Sequence, residues 1–194
     1  MATTATKANE AASERVNGID VGALRAVIRD IAQDPAKGMV EFRVRSHWRG
    51  QTRSETRVEG YTIGGQRVPR SFGIAVDEPF ELLGENTAPN PQEMLMTALN
   101  ACVMVGYVAG AAARGIQLEK LEIETHGELD LRGFLGIDPD VPAGYESVHY
   151  TVRIKGDGTP EQFREIHETV LKTSPNYFNV SRPIRIEARL DVEA

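Results

Sequence analysis

The sequence predicts an α+β fold, and three observations carry the prediction. Alternation of apolar and polar residues at period 2, the mark of strands, recurs over 39–76, 121–131, 145–157 and 181–192. A run of twenty residues without a charge, 94–113, separates the first strand region from the second. Residues 160–174 have the sparse apolar spacing and capping residues of a surface helix. Strands, an apolar helix, two strands, a surface helix and a last strand describe one domain over 39–194, preceded by an N-terminal extension over 1–38.

Each element has its own justification. Residues 1 to about 17 are small, polar and mixed in charge, so they are expected to be flexible, and they lack the apolar core of a secretory signal. Leu24, Val27, Ile28 and Ile31 recur at helical spacing within 19–33, an amphipathic helix ended by Asp34-Pro35. Val40, Phe42 and Val44 alternate with Glu41, Arg43 and Arg45, a half-buried strand, and two more strands flank a hairpin turn at Gly64-Gly65. Residues 77–93, with three prolines and five acids, form an irregular connection. Asn90-Pro91 then opens the long helix as cap and first residue, and Gly115 closes it.

Beyond that helix, Leu121, Ile123, Leu129 and Leu131 alternate with Glu122, Glu124, Glu128 and Asp130, a long strand with an acidic outer face. The strand in 145–157 is expected to pair with it. Thr159-Pro160 with Gln162 forms a capping box for the surface helix, and 181–192 reads as the final strand.

The charge-free run has the length of a membrane span and carries Gly106 and Gly110 at the spacing of a close helix-packing motif. Six alanines, Thr97, Asn100 and the absence of basic or aromatic flanks favour a helix buried on nearly all sides in a soluble core, with no membrane. A net charge of −6 argues against a protein held to nucleic acid by bulk charge. Residues 43–70 nevertheless hold seven arginines against Glu55 and Glu59, a local excess of five positive charges, beside the acidic connection. These two segments are expected to pair, or one arginine is expected to face an anionic or oxidised substrate.

Cys102 is the only cysteine, so no disulfide can form within one chain and a reducing, cytoplasmic setting is expected. It is either a small core residue or a lone reactive thiol that needs a cation from outside its own uncharged helix. His47, His126, His149 and His167 have no metal-ligand spacing, so neither a metal nor a cofactor is expected. Met94, Met96 and Met104 suit an adaptable apolar pocket as well as a plain core.

The run NPQEMLMTALNACVMVGY, with the acidic DEPFELLGENTAP before it, HWRG near the start and KTSPNYFNVSRPIRIEARL at the end, resembles the OsmC/Ohr family over roughly residues 39–192. The resemblance implies an intertwined homodimer whose two central helices are surrounded by sheets from both chains. Active members of that family reduce organic hydroperoxides with two cysteines, assisted by an arginine and a glutamate. Here Cys102 stands at the attacking position and Ser174, before Pro175, where the second cysteine would be. The motif glutamate falls on Gln92, with Glu93 one residue on; a straight helix puts Gln92 about 15 Å from Cys102 and about 80° around the axis. Arg49, Arg53, Arg57, Arg67 and Arg70 are all open as the arginine.

The resemblance therefore implies a divergent member without the two-cysteine cycle, limited to one-cysteine peroxide reduction with an external thiol as reductant. The alternative is a binding protein for a small lipophilic ligand in the dimer cleft.

Overall fold

The computed structural model describes residues 15–193; the flexibility expected of residues 1–14 lies outside them. Residues 15–17 are not loose. β1 (Arg15–Val16) pairs with β2 (Ile19–Asp20), Val16 is buried against Ala112, and the Asn17 side chain donates to Ile116 O and accepts from Leu118 N, both at 2.8 Å. A turn residue that bonds both ways into the core offsets the entropy of ordering the segment.

Asp20 caps α1 (Val21–Gln33) by accepting from Ala23 N. The expected apolar stripe is only partly covered: Leu24 and Ile31 are half-buried, Val27 and Ile28 lie more than half exposed, and Val21 seats the helix. A 3-10 turn, Pro35–Gly38, leads into the first sheet.

That sheet is built on the hairpin β5 (Ser54–Ile63) and β6 (Gln66–Val76), turned at Gly64 and Gly65, both at positive φ. A bulge falls between Val58 and Gly60, where a Cβ on Gly60 would lie 2.6 Å from Val68 O, so the crossing admits only glycine. The single strand expected over 39–48 is instead two, β3 (Val40–Phe42) and β4 (Arg45–Trp48), both paired to the free edge of β5. They are not half-buried either. Phe42 and Trp48 are about three-quarters exposed, because no second layer among the described residues covers this sheet.

The connection through 77–90 is irregular as expected and is organised by Asp77. Its buried carboxylate accepts from Thr52 Oγ1, Glu78 N, Glu85 N, Thr87 N and Thr87 Oγ1. α2 (Pro91–Ala113) starts at a reciprocal Asn90–Glu93 capping box and ends at Arg114, with Gly115 at positive φ. By length and composition α2 could cross a membrane. Within the single chain one stripe, Leu99, Val103, Tyr107 and Ala111 with Ala112 beside it, is buried, while Val105 is 68% exposed. The described residues supply partners for one side of the helix only.

Those partners are β7 (Leu118–His126), β8 (His149–Gly156) and α4 (Pro160–Thr173); a short helix, α3 (Leu131–Phe134), lies in the long loop between β7 and β8. β7 and β8 pair antiparallel as expected, with Leu121, Ile123, Val152 and Ile154 packed on the α2 core. The strand expected to run to 131 stops at His126, whose partner His149 is the first residue of β8; beyond it Asp130 caps α3. α4 opens on the Thr159–Gln162 capping box and packs on α2 at Gly106 and Gly110, where added Cβ atoms would lie 2.9 Å from Val170 and 3.1 Å from Ile166. The small-residue motif thus serves a helix within this chain.

α5 (Pro175–Ser181) has no counterpart among the expected elements, although Ser174-Pro175 is a helix-start signal. The final strand expected over 181–192 is absent. Its apolar residues Ile184, Ile186, Leu190 and Val192 are 50–85% exposed, since alternation specifies two faces but a strand also requires an edge to pair with.

Candidate functional site

Cys102 sits at the midpoint of α2, against the corner where α4 passes into α5. Ser174 makes that corner: it is the C-cap of α4 and the N-cap of α5, its Oγ accepting from Tyr177 N. The same hydroxyl, almost fully buried, donates to Cys102 Sγ at 3.3 Å, and Asn176 N donates to the sulfur at 3.5 Å. Asn176 Nδ2 also donates to Ala98 O at 2.8 Å, latching α5 onto α2 one turn before the cysteine. The thiol is partly accessible, and its lone pairs are oriented by two donors contributed from one corner of the chain.

Two of the four residues singled out from sequence, Cys102 and Ser174, are therefore in contact. The other two are elsewhere. Gln92 lines a cavity of about 620 Å³ with Leu95, Leu99, Val148, Tyr150 and Tyr177. Glu93 is engaged in the cap of α2, its carboxylate accepting from Asn90 N at 2.8 Å. Helical geometry separates both from the sulfur, as the rise and rotation between 92 and 102 require.

None of the five open arginines is a partner of Cys102 among the described residues. Arg49 pairs with Glu55 and Arg53 with Glu85, each at 2.8 Å, the second realising the expected link between basic strand and acidic connection. Arg57 and Arg67 line a small cavity of about 240 Å³ on the first sheet, and Arg70 lies over the Tyr61 and Phe72 rings.

Sequence reasoning missed several groups near the helix. Burial, with the charges of Asp77 and Glu93, holds the Glu78 carboxyl above its ordinary range, and its Oε2 is buried without a hydrogen-bond partner among the described residues. Burial pushes Tyr107 up strongly; its hydroxyl is 2.5 Å from His167 Nδ1. The Tyr150 hydroxyl is buried, unpartnered among the described residues and likewise pushed up by burial, between the 620 Å³ cavity and a second of about 570 Å³ lined by Tyr107, Phe163 and His167. A Tyr spaced five residues after the cysteine on the same helix was the available signal, but its histidine partner lies 60 residues away. Among the described residues no three metal-ligating side chains gather.

Residues 84–189, which contain the whole Cys102–Ser174 corner, match the family described as OsmC-like protein. The chain belongs to the OsmC-like family. Solved structures agree on the fold. An OsmC-like protein of Mycoplasma pneumoniae is 15% identical with a TM-score of 0.55, over 73% of this chain and 87% of its own. An OsmC-like protein of unknown function from Vibrio cholerae is 14% identical with a TM-score of 0.54, over 72% and 93%. A Psychrobacter arcticus protein, whose description refers to osmotic stress and detoxification, is 17% identical with a TM-score of 0.53, over 70% and 85%. No curated protein matches the chain. The family span begins after the first sheet, so the arginine-rich strands of this OsmC-like chain lie outside it.

Proposed function

We propose that this OsmC-like chain is a one-cysteine peroxidase that reduces organic hydroperoxides through Cys102 and depends on an external thiol. The observation that carries the reading is the Ser174 hydroxyl in hydrogen-bond contact with the sulfur, at the place where a resolving thiol would stand. A hydroxyl can orient the sulfur but cannot form a disulfide with it. In the step proposed, the Cys102 thiolate attacks the outer oxygen of ROOH and the O–O bond breaks. ROH leaves with a proton from water, and the sulfur becomes a sulfenic acid. One external thiol then displaces water to give a mixed disulfide. A second reduces that bond, restoring Cys102 and releasing the external disulfide.

The working unit proposed is a homodimer in a reducing compartment such as the cytoplasm. The open side of α2, the uncovered first sheet and the unpaired alternating segment 182–193 together expose Phe42, Trp48, Val105, Ile186 and Leu190, more than a monomer ordinarily leaves in water. Light scattering in solution tests this: a mass of two chains supports it and a mass of one removes it.

Turnover tests the chemistry. With dithiothreitol as reductant and cumene hydroperoxide as substrate, alcohol is expected to form catalytically and to stop in Cys102→Ser; stoichiometric or no alcohol would overturn the reading. A second reading, a carrier of a small lipophilic molecule, is favoured by the 620 Å³ cavity, whose walls combine Leu95, Leu99, Val148 and Val180 with polar Gln92, Glu146 and Asn179, and by the Tyr150 hydroxyl, buried and unpartnered among the described residues. A ligand seen by native mass spectrometry and retained in Cys102→Ser would favour it.

A further inference from the structure

Away from the Cys102 corner, the outer face of β7–β8 closes on two histidines. His126 and His149 stand directly opposite each other in the antiparallel register, their ring centroids 5.5 Å apart and their planes inclined by 27°. Both are exposed, and both lie on the side of the sheet away from α2. Their neighbours Thr125 and Tyr150 turn inward, Thr125 donating to Asn100 of α2. The next carboxylate on the outer face, Glu124, is already held with Glu122 by Arg153.

We infer that His126 and His149 form a two-imidazole surface site for a first-row divalent transition metal, of the class of Zn²⁺, Ni²⁺ and Cu²⁺, with water completing its coordination. Neutral imidazole is a favoured ligand for these ions, whereas Mg²⁺ and Ca²⁺ prefer oxygen. A metal–nitrogen bond is about 2.0–2.1 Å, so chelation requires the two nitrogens to approach to about 3 Å. Opposite residues on one face have Cβ atoms about 4.5–5.5 Å apart, and rotation of two exposed rings closes the remaining gap.

The ring nitrogens are available. Ser147 Oγ lies 3.3 Å from His149 Nε2, a hydrogen-bond partner that leaves Nδ1 of the same ring for a metal, and the His126 ring makes no hydrogen bond among the described residues. The net charge of −6 favours cations in general. Because the sheet lies between this pair and α2, a bound ion is separate from the thiol. The two residues are 23 apart in sequence, so the site exists only through strand pairing and shows no spacing motif.

Calorimetric titration of the tag-free full chain, stripped with chelator, tests the site with Zn²⁺, and histidine-ring NMR locates it with Ni²⁺. One ion per chain is expected, broadening the His126 and His149 resonances first. Either His126→Asn or His149→Asn is expected to weaken binding at least about tenfold, while His47→Asn and Cys102→Ser retain it. These substitutions are at exposed positions except for Cys102, and circular dichroism confirms the fold of each variant. Binding that survives both His→Asn changes, that depends on only one of them, or that is lost in Cys102→Ser would overturn the assignment.

Discussion

Gly106→Ala is the sharpest test of how the Cys102 corner is held. An alanine Cβ at this position would lie 2.9 Å from Val170 Cγ2 and 3.5 Å from Cγ1. Carbon atoms rest about 3.5–4.0 Å apart, so α4 must retreat by roughly half an ångström or more. Valine is stiff at χ1 and Val170 is almost fully buried, so the side chain has no free direction to turn. Overpacking of this kind costs about 1–3 kcal/mol, while replacing a mid-helix glycine by alanine returns about 1 kcal/mol of helix propensity. The net expectation, the overpacking cost less the propensity gain, is a loss of up to about 2 kcal/mol, read as a lower urea midpoint at fixed protein concentration. Val170→Ala combined with Gly106→Ala is expected to be more stable than the sum of the single changes, because the new methyl fills the space vacated. Ser174 terminates α4, so the retreat also lifts the hydroxyl from the sulfur, and alkylation of Cys102 is expected to accelerate. A Gly106→Ala protein more stable than the parent, or strictly additive changes, would refute this close seating of α4 on α2.

Other outcomes follow from the same geometry. Ser174→Cys is expected to introduce a thiol that forms a disulfide with Cys102 on mild oxidation, seen as loss of both free thiols and reversed by dithiothreitol, because the two side chains already touch. Burial raises the Asp77 carboxyl, but the hydrogen bonds from Thr87, Thr52 and Glu78 outweigh it and bring it down from 3.8 to about 2. Its contribution is therefore complete above about pH 3.8 and lost as pH falls through about 2, and Asp77→Asn is expected to flatten that acid limb in unfolding measurements. Glu78 is raised above 4.5, so its ionisation favours the unfolded chain as pH rises. Glu78→Gln is expected to stabilise the protein at pH 7 and to lose that advantage in acid.

Local signals were legible wherever the partner groups lie close in sequence. Asn90-Pro91 with Glu93, Thr159-Pro160 with Gln162, the Gly64-Gly65 turn and the Gly115 stop all act within four residues, and each stands where its chemistry required. What alternation could not supply was the partner of each face. Residues 39–48 and 181–192 alternate correctly, yet one became a broken, uncovered edge and the other no strand at all, because burial depends on surfaces that one chain does not provide.

The site divides in the same way. Cys102 and Ser174 were named from motif position and meet across 72 residues through the packing of α4 and α5 on α2. Gln92 and Glu93 share the motif, but the helix turns them away from the sulfur. The Tyr107–His167 contact and the His126–His149 pair were illegible, since helix packing creates one and strand register the other.

The central claim, that Cys102 is a peroxide-reducing thiol without a resolving partner, is tested most directly by time-resolved mass spectrometry of the reduced protein mixed with cumene hydroperoxide. The account predicts sulfenic acid at Cys102 forming faster than on a free thiol, saturating with peroxide concentration, and persisting until an external thiol is added. Oxidation at the rate of a free thiol, without saturation, would contradict it.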